Sequence, residues 1–249
     1  MAEPLRLYGL KAVVTKAASG IGEAVARTLV KHGASVIAID NQDSGVERVY
    51  RSVKGAEAIV ADHTDPTAQT AMIEAAGKEL GGIDILVCNL PSERRNPIEG
   101  AGEDFDRLVS QRAEQSAAIC RAAMPDLKKS PCGRIVALGH LRSAFAAGAG
   151  DQWRESETLL KNMIRKLALE IGEFGITANY VQPGGIMTPQ ARDAFRRDTA
   201  LRDYCISNSA ARRLGEPVDV AKVVLFLVSD DAVFVSGTGI AVDGGLVDA

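Results

Sequence analysis

Short apolar runs alternate with longer stretches of helical spacing from one end of the chain to the other. Leu10–Thr15, Ser35–Ile39, Ala58–Ala61, Ile83–Cys88, Arg134–Leu138, Ile176–Val181 and Gly239–Val242 read as strands, most of them Val/Ile-rich. Between them, Gly20–Lys31 places Ile21, Val25 and Leu29 on one helical face. Thr67–Leu80, Glu103–Leu127, Gln152–Phe174, Pro189–Asn208 and Val218–Leu227 read as further helices. Parallel strands need helical crossovers, and near-continuous apolar strands need cover on both faces. The expected fold class is therefore α/β, a doubly wound parallel sheet with helices on both faces. No linker, repeat or low-complexity segment interrupts the alternation, so residues 1–249 are expected to form a single domain.

Composition narrows the function classes. The 29 basic against 32 acidic residues leave a net charge of −3, no footprint for nucleic acid or an anionic membrane. No apolar run reaches the roughly 18 residues of a membrane helix. MAEPLRLYGLK lacks the apolar core of a signal peptide. Cys88, Cys120, Cys132 and Cys205 lie far apart, three of them in apolar stretches, and read as reduced, mostly buried thiols. The three His (His32, His63, His140) show no metal-ligand spacing, so no metal site is expected. The chain reads as cytoplasmic.

Thr15-Lys16-Ala17-Ala18-Ser19-Gly20-Ile21-Gly22 follows the first strand and opens the first helix. It resembles the T-G-x-x-x-G-I-G turn of the short-chain dehydrogenase/reductase family. The resemblance continues through Asp40, Asp62 and Asn89, after the second, third and fourth strands. Asn179-Tyr180-Val181-Gln182-Pro183-Gly184-Gly185-Ile186-Met187-Thr188 is similar to the family's N-x-V-x-P-G-x-x-x-T segment. Arg213-Leu214-Gly215-Glu216-Pro217 and Val242-Asp243-Gly244-Gly245 match its C-terminal blocks. These blocks, in the family's order, imply a Rossmann-like fold and an NAD-type cleft.

The family's chemistry rests on four residues. A Tyr and a Lys four apart on the fifth helix share a face, and the cation lowers the phenol's pKa for proton exchange. A Ser 13 residues before the Tyr holds the substrate oxygen, and an Asn on the fourth helix completes a water relay. Counting along this chain puts His140 at the Ser position, Trp153 at the Tyr, Glu157 at the Lys and Arg112 at the Asn. An indole N–H donates a hydrogen bond but does not titrate usefully. Neither Tyr180 nor Tyr204 rescues the pattern, because Gly184 and Asn208 stand four residues after them. The expected catalytic set is none. Arg112 and Glu157 are opposite charges at positions that communicate in active relatives, and an ion pair filling the vacated site is expected between them.

The cofactor cleft is altered unevenly. Lys16 replaces the first glycine of the phosphate turn, and Leu90-Pro91 follow Asn89 where the family keeps two small residues. Gly20, Gly22, Asp40, Asp62, Asn89 and Thr188 remain as a cofactor-binding remnant, with Asp40 placed to prefer NAD over NADP. These survivors serve either fold maintenance, the glycines in packing and Asp62 and Thr188 as caps, or a weakened NAD site. The cofactor expectation is accordingly none, or weak NAD.

In this family the fourth and fifth helices of neighbouring subunits pack together. Here Leu159, Leu160, Met163, Ile164, Leu167 and Ile171 recur along the Gln152–Phe174 helix, and Ala113, Ala117, Ala118, Ala122 and Ala123 line the Glu103–Leu127 helix. The resemblance extends to inactive subunits of heteromeric hydroxyacyl-CoA dehydrogenases of anaerobic toluene degradation. It implies an active paralogue as heteromeric partner, with a homo-oligomer as the other assembly. Three alternatives stay open: a cofactor-independent lyase or hydratase using His140 and Glu157, a ligand or dinucleotide sensor, and an unorthodox NAD-dependent oxidoreductase.

Overall fold

A computed structural model describes residues 6–62, 65–89, 104–139 and 150–247; at 66, 104–112 and 150–153 it describes the backbone alone. The strands are β1 (Lys11–Thr15), β2 (Ser35–Asp40), β3 (Ala56–Val60), β4 (Ile85–Cys88), β5 (Arg134–Leu138), β6 (Thr177–Pro183) and β7 (Gly239–Val242). The helices are α1 (Gly20–Lys31), α2 (Val46–Tyr50), α3 (Pro66–Leu80), α4 (Asp104–Leu127), α5 (Gly150–Ile171), α6 (Pro189–Arg197), α7 (Thr199–Ser207) and α8 (Pro217–Val228). All strand pairs are parallel, in one sheet of order β3-β2-β1-β4-β5-β6-β7. The doubly wound sheet expected from the alternation is the fold observed.

Strand alternation sends successive residues to opposite faces. Ala12 and Val14 face a layer in which Val25 and Leu29 of α1 pack with Val220, Val224 and Val228 of α8. Val13 faces the other layer, where Ile73 of α3, Ile119 and Leu127 of α4 and Ile164 of α5 meet Ile37 and Leu86. β4 and β5 are buried at every position, as strands covered on both faces must be.

Several element limits differ from the sequence reading by a residue or two, and the larger differences have local reasons. Pro189–Asn208 is two helices, because Asp198 takes φ −131°, ψ 96° and its carboxylate accepts the Leu201 N–H at 2.9 Å, starting α7 afresh. β4 begins at Ile85 rather than Ile83, since Gly81 and Gly82 have positive φ and the Asp84 carboxylate is taken up by Lys11 N–H and Ser130 Oγ. α5 stops at Ile171 and passes into a 3-10 turn at Gly172–Phe174. The five-residue α2 gave no periodic signal and was not anticipated. Cys88, Cys120 and Cys205 are buried and Cys132 half-buried, all as free thiols.

Candidate functional site

The strand order reverses between β1 and β4, and the crevice outside the carboxyl ends of these strands is where such sheets bind ligands. The turn Lys16–Ser19 lies there. Lys16 has φ +48°, a left-handed conformation that glycine adopts freely and lysine does not. Its carbonyl is crowded on the inside: a Cβ on Gly22 would stand 2.0 Å from the Lys16 oxygen, and Asn89 Nδ2 donates to the same oxygen at 3.4 Å. Gly22 therefore serves the close approach of turn and helix.

Thr15 and Asn89 tie the two central strands together. Thr15 Oγ1 donates to the Asn89 carbonyl at 2.6 Å and accepts the Asn89 N–H at 2.9 Å. Asp40, at the end of β2, is 5% exposed. Its Oδ2 accepts the Ala18 N–H at 2.9 Å and its Oδ1 the Asn41 N–H at 2.8 Å, so both oxygens hold backbone. Tyr50 closes the turn from α2. Its hydroxyl donates to the Ala17 carbonyl at 2.7 Å, and burial, with Glu23 adding to it, pushes the phenol well above its ordinary pKa. Asp62 is exposed beyond β3, and the N-cap of α3 is Asp65, not Asp62.

The opposite wall is the start of α6. Thr188 is its N-cap, accepting the Ala191 N–H at 3.1 Å, as one of the two sequence readings required. A Cβ on Gly20, whose φ is +59°, would meet the Thr188 side chain at 3.3 Å. Gln190 Nε2 also reaches Ser19 Oγ at 3.4 Å. The phosphate turn and α6 thus touch across the space between them. Gly20, Gly22, Asp40, Asn89 and Thr188 come together at one site; Asp62 stands at its margin. Tyr50 and Gln190 were missed, because each acts through a partner far away in sequence that periodicity cannot reveal.

Lys16 places a side chain where the family keeps the first glycine of this turn, while the Asp40 carboxylate, accepting one backbone N–H at each oxygen, keeps lone pairs for further donors.

Of the four positions where the family keeps its reactive groups, His140 lies outside the described residues. Arg112 on α4 and Trp153 on α5 are described by backbone alone, and the helix carries Trp153 and Glu157 one turn apart on a shared face. Glu157 is half-buried. The expected Arg112–Glu157 pair involves a side chain outside the described set, although α4 and α5 do pack together. Leu90 and Pro91 also lie outside it. Among the described residues no cluster of His, Cys, Asp and Glu could hold a metal, and no helix is long and apolar enough to cross a membrane.

The apolar positions of the helix pair divide between a core face and an outward face, the two uses their spacing allows. Leu160, Ile164, Leu167 and Ile171 are buried against the chain's own sheet, as is Ala123 of α4. What α5 leaves outward is narrower than its apolar spacing suggested: half-buried Leu159 and Met163, and Leu169, which is 87% exposed.

Comparison with known proteins covers nearly the whole length. A family model described as enoyl-(acyl carrier protein) reductase matches residues 17–247. The 3-oxoacyl-[acyl-carrier-protein] reductase FabG of Salmonella typhimurium is 31% identical over 241 residues, 96% of this chain and 97% of the relative. Oxidoreductase UcpA of Escherichia coli K12 is 29% identical over 251 residues, covering 96% and 95% of the two chains. The crystal structure of a hydroxysteroid dehydrogenase from Escherichia coli superposes with a TM-score of 0.81 at 29% identity, covering 98% of this chain and 99% of that one. With the parallel sheet, the turn at its switch point and the Pro183-Gly184 to Thr188 segment in place, the chain belongs to the short-chain dehydrogenase/reductase family.

Proposed function

We propose that this chain is a non-catalytic subunit of the short-chain dehydrogenase/reductase family that pairs with an active, NAD-dependent paralogue. The observation that carries the reading is the joint presence of Arg112, His140, Trp153 and Glu157 where active members keep Asn, Ser, Tyr and Lys. Proton transfer by a positioned side chain contributes roughly 10²–10⁴-fold to rate, and these residue types do not reproduce the family's donor and its cation. Lys16, a bulky residue held at φ +48° where the family keeps a glycine, supports weak or absent NAD binding. Meanwhile Gly20, Gly22, the Pro-Gly segment and the packed core are retained, which supports a role for the folded shape itself.

In this reading the partner packs on the outward side of α4 and α5, supported by the apolar Leu159, Met163 and Leu169 left there. Its substrate class is an acyl thioester, a reading supported by the relative named as a 3-oxoacyl-[acyl-carrier-protein] reductase. A hydroxyacyl-CoA of anaerobic aromatic degradation is the specific case that the sequence resemblance suggests. The relatives' names as oxidoreductases favour a second reading, an unorthodox dehydrogenase in its own right.

One experiment separates them. The chain is co-expressed with an active paralogue from its own genome, and native mass spectrometry and turnover are measured for each protein alone and together. The proposal expects a heteromer, with the chain alone inert towards acyl thioesters with either nicotinamide cofactor. Met163→Asp should abolish the complex while leaving the fold intact. Turnover near 1 s⁻¹, an ordinary enzyme rate, by the chain alone would establish the second reading. A paralogue as fast and as well assembled without this chain would also overturn the proposal.

A further inference from the structure

A groove lies between α7 and the N-terminal end of α8. Its volume is about 800 Å³, within the range of small-molecule sites. Met187, Ile206, Leu214 and Val218 line it with apolar surface, and Val218 is 44% exposed. Arg202, Arg212 and Arg213 stand along it.

The local charge is unlike that of the whole chain. Residues 189–213 hold six Arg and no Lys against three Asp and no Glu, a net +3 in a protein of net −3. The two acids at the groove are already committed to the start of α8. Glu216 is the N-cap residue of α8, and Asp219 Oδ2 accepts both the Glu216 backbone N–H at 3.0 Å and Arg213 Nη1 at 2.9 Å. That leaves Arg202 and Arg212. Arg202 forks onto Asp203 at 3.0 and 2.9 Å, a pair with 43% and 64% side-chain exposure whose worth in water is small. Arg212 donates to the Ser207 carbonyl at 3.0 Å, with no acid partner among the described residues. Arg212 also has φ +52°, so its backbone is held in a conformation unusual for an L-residue. Such strain gathers at ligand clamps and persists only when the surroundings enforce it.

We propose that this groove binds a small amphiphilic anion, its carboxylate or phosphate head on Arg212 and Arg202 and its alkyl chain along Met187, Ile206, Leu214 and Val218. Guanidinium forks match these oxyanions in geometry as well as charge. A concave apolar bed suits a flexible chain of several carbons better than a bare ion. Met187 adjoins Thr188 in sequence, so an occupied groove sits one residue from the contact that closes the crevice. The inference is independent of the heteromer reading.

The test is calorimetric titration of the full chain with octanoate, octyl phosphate, 1-octanol and inorganic phosphate. Both amphiphilic anions are expected to bind at least tenfold more tightly than octanol or inorganic phosphate, and their ratio identifies the preferred head. Arg212→Asn, which keeps a residue tolerant of positive φ, should weaken both anions at least tenfold and leave octanol unchanged. Val218→Asp should weaken every alkyl probe. Arg202→Gln gives a second reading of the charge, should the Arg212 variant melt early. Equal affinity for octanol and octanoate, equal affinity for inorganic and octyl phosphate, no heat with either anion, or anion binding indifferent to both arginine changes would each overturn the proposal.

Discussion

The switch-point crevice and the α7–α8 groove lie a few residues apart in sequence, joined by Met187 and Thr188, yet they are built in opposite ways. In the crevice the polar groups bond inside the protein: Asp40 takes Ala18 and Asn41, Tyr50 takes Ala17, Thr188 takes Ala191, and Thr15 and Asn89 take each other. In the groove the acids close on the start of α8 while two arginines keep only an exposed neighbour or a carbonyl. The described polar groups of the crevice are bonded within the protein, while the arginines of the groove face water. Belonging to a family of oxidoreductases does not determine which concavity of the chain is in use.

Substitutions can break this comparison, the largest effect first. Gly22→Val should destabilise the fold by more than about 3 kcal/mol in urea denaturation, because the added atoms meet the Lys16 carbonyl and only backbone movement relieves them. Val218→Ser, on the open groove, should stay within about 0.5 kcal/mol of the parent. Similar losses at both sites would remove the contrast between closed and open.

Tyr50→Phe tests the crevice from within. It leaves the Ala17 carbonyl without its buried donor, which should cost about 1–3 kcal/mol by the same measurement. An unchanged midpoint would mean that the turn is held without the Tyr50 bond.

Ligand binding sharpens the comparison next. The parent chain should bind NAD with a dissociation constant weaker than about 1 mM, or −4 kcal/mol. The double change Lys16→Gly with Gln190→Ala removes the strained φ and the Ser19 bridge, and should tighten NAD at least tenfold, about 1.4 kcal/mol, in calorimetry. Micromolar binding by the parent would show that the crevice opens at little cost.

The smallest effect belongs to Asp219. Its carboxyl is held below the usual range by the Glu216 N–H and then by Arg213, so its contribution is present above the unfolded carboxylate pKa and is lost as pH falls through the lower folded value. Asp219→Asn should cost roughly 0.5–1 kcal/mol at neutral pH, the size of a partly exposed cap and pair. Melting temperatures of parent and variant should converge in acid. A constant offset at every pH would place the effect in packing instead of charge.

The sheet and its order of elements were legible in the sequence because burial on both faces demands unbroken apolar strands, and burial beneath a layer demands helical spacing. That reading gave Gly20–Lys31 and Arg134–Leu138 with the ends the structure has. The glycine turn, Asp40, Asn89 and Thr188 were equally visible as residues assembling at one end of the sheet. The sequence could not decide what those residues do there. Asp40 reads alike whether its oxygens face a ribose or the N–H of Ala18, and only the packing of the turn against β2 chose the latter. Leu160 and Met163 carry the same periodic signal, but the angle at which α5 meets the sheet buried one and left the other half-exposed. Asp198, a residue that suits a cap or a helix surface, became a break because Leu201 N–H was within its reach. Local pattern records which groups must leave water; which partners they meet is a matter of distances between segments far apart in the chain, and the tertiary fold alone sets those.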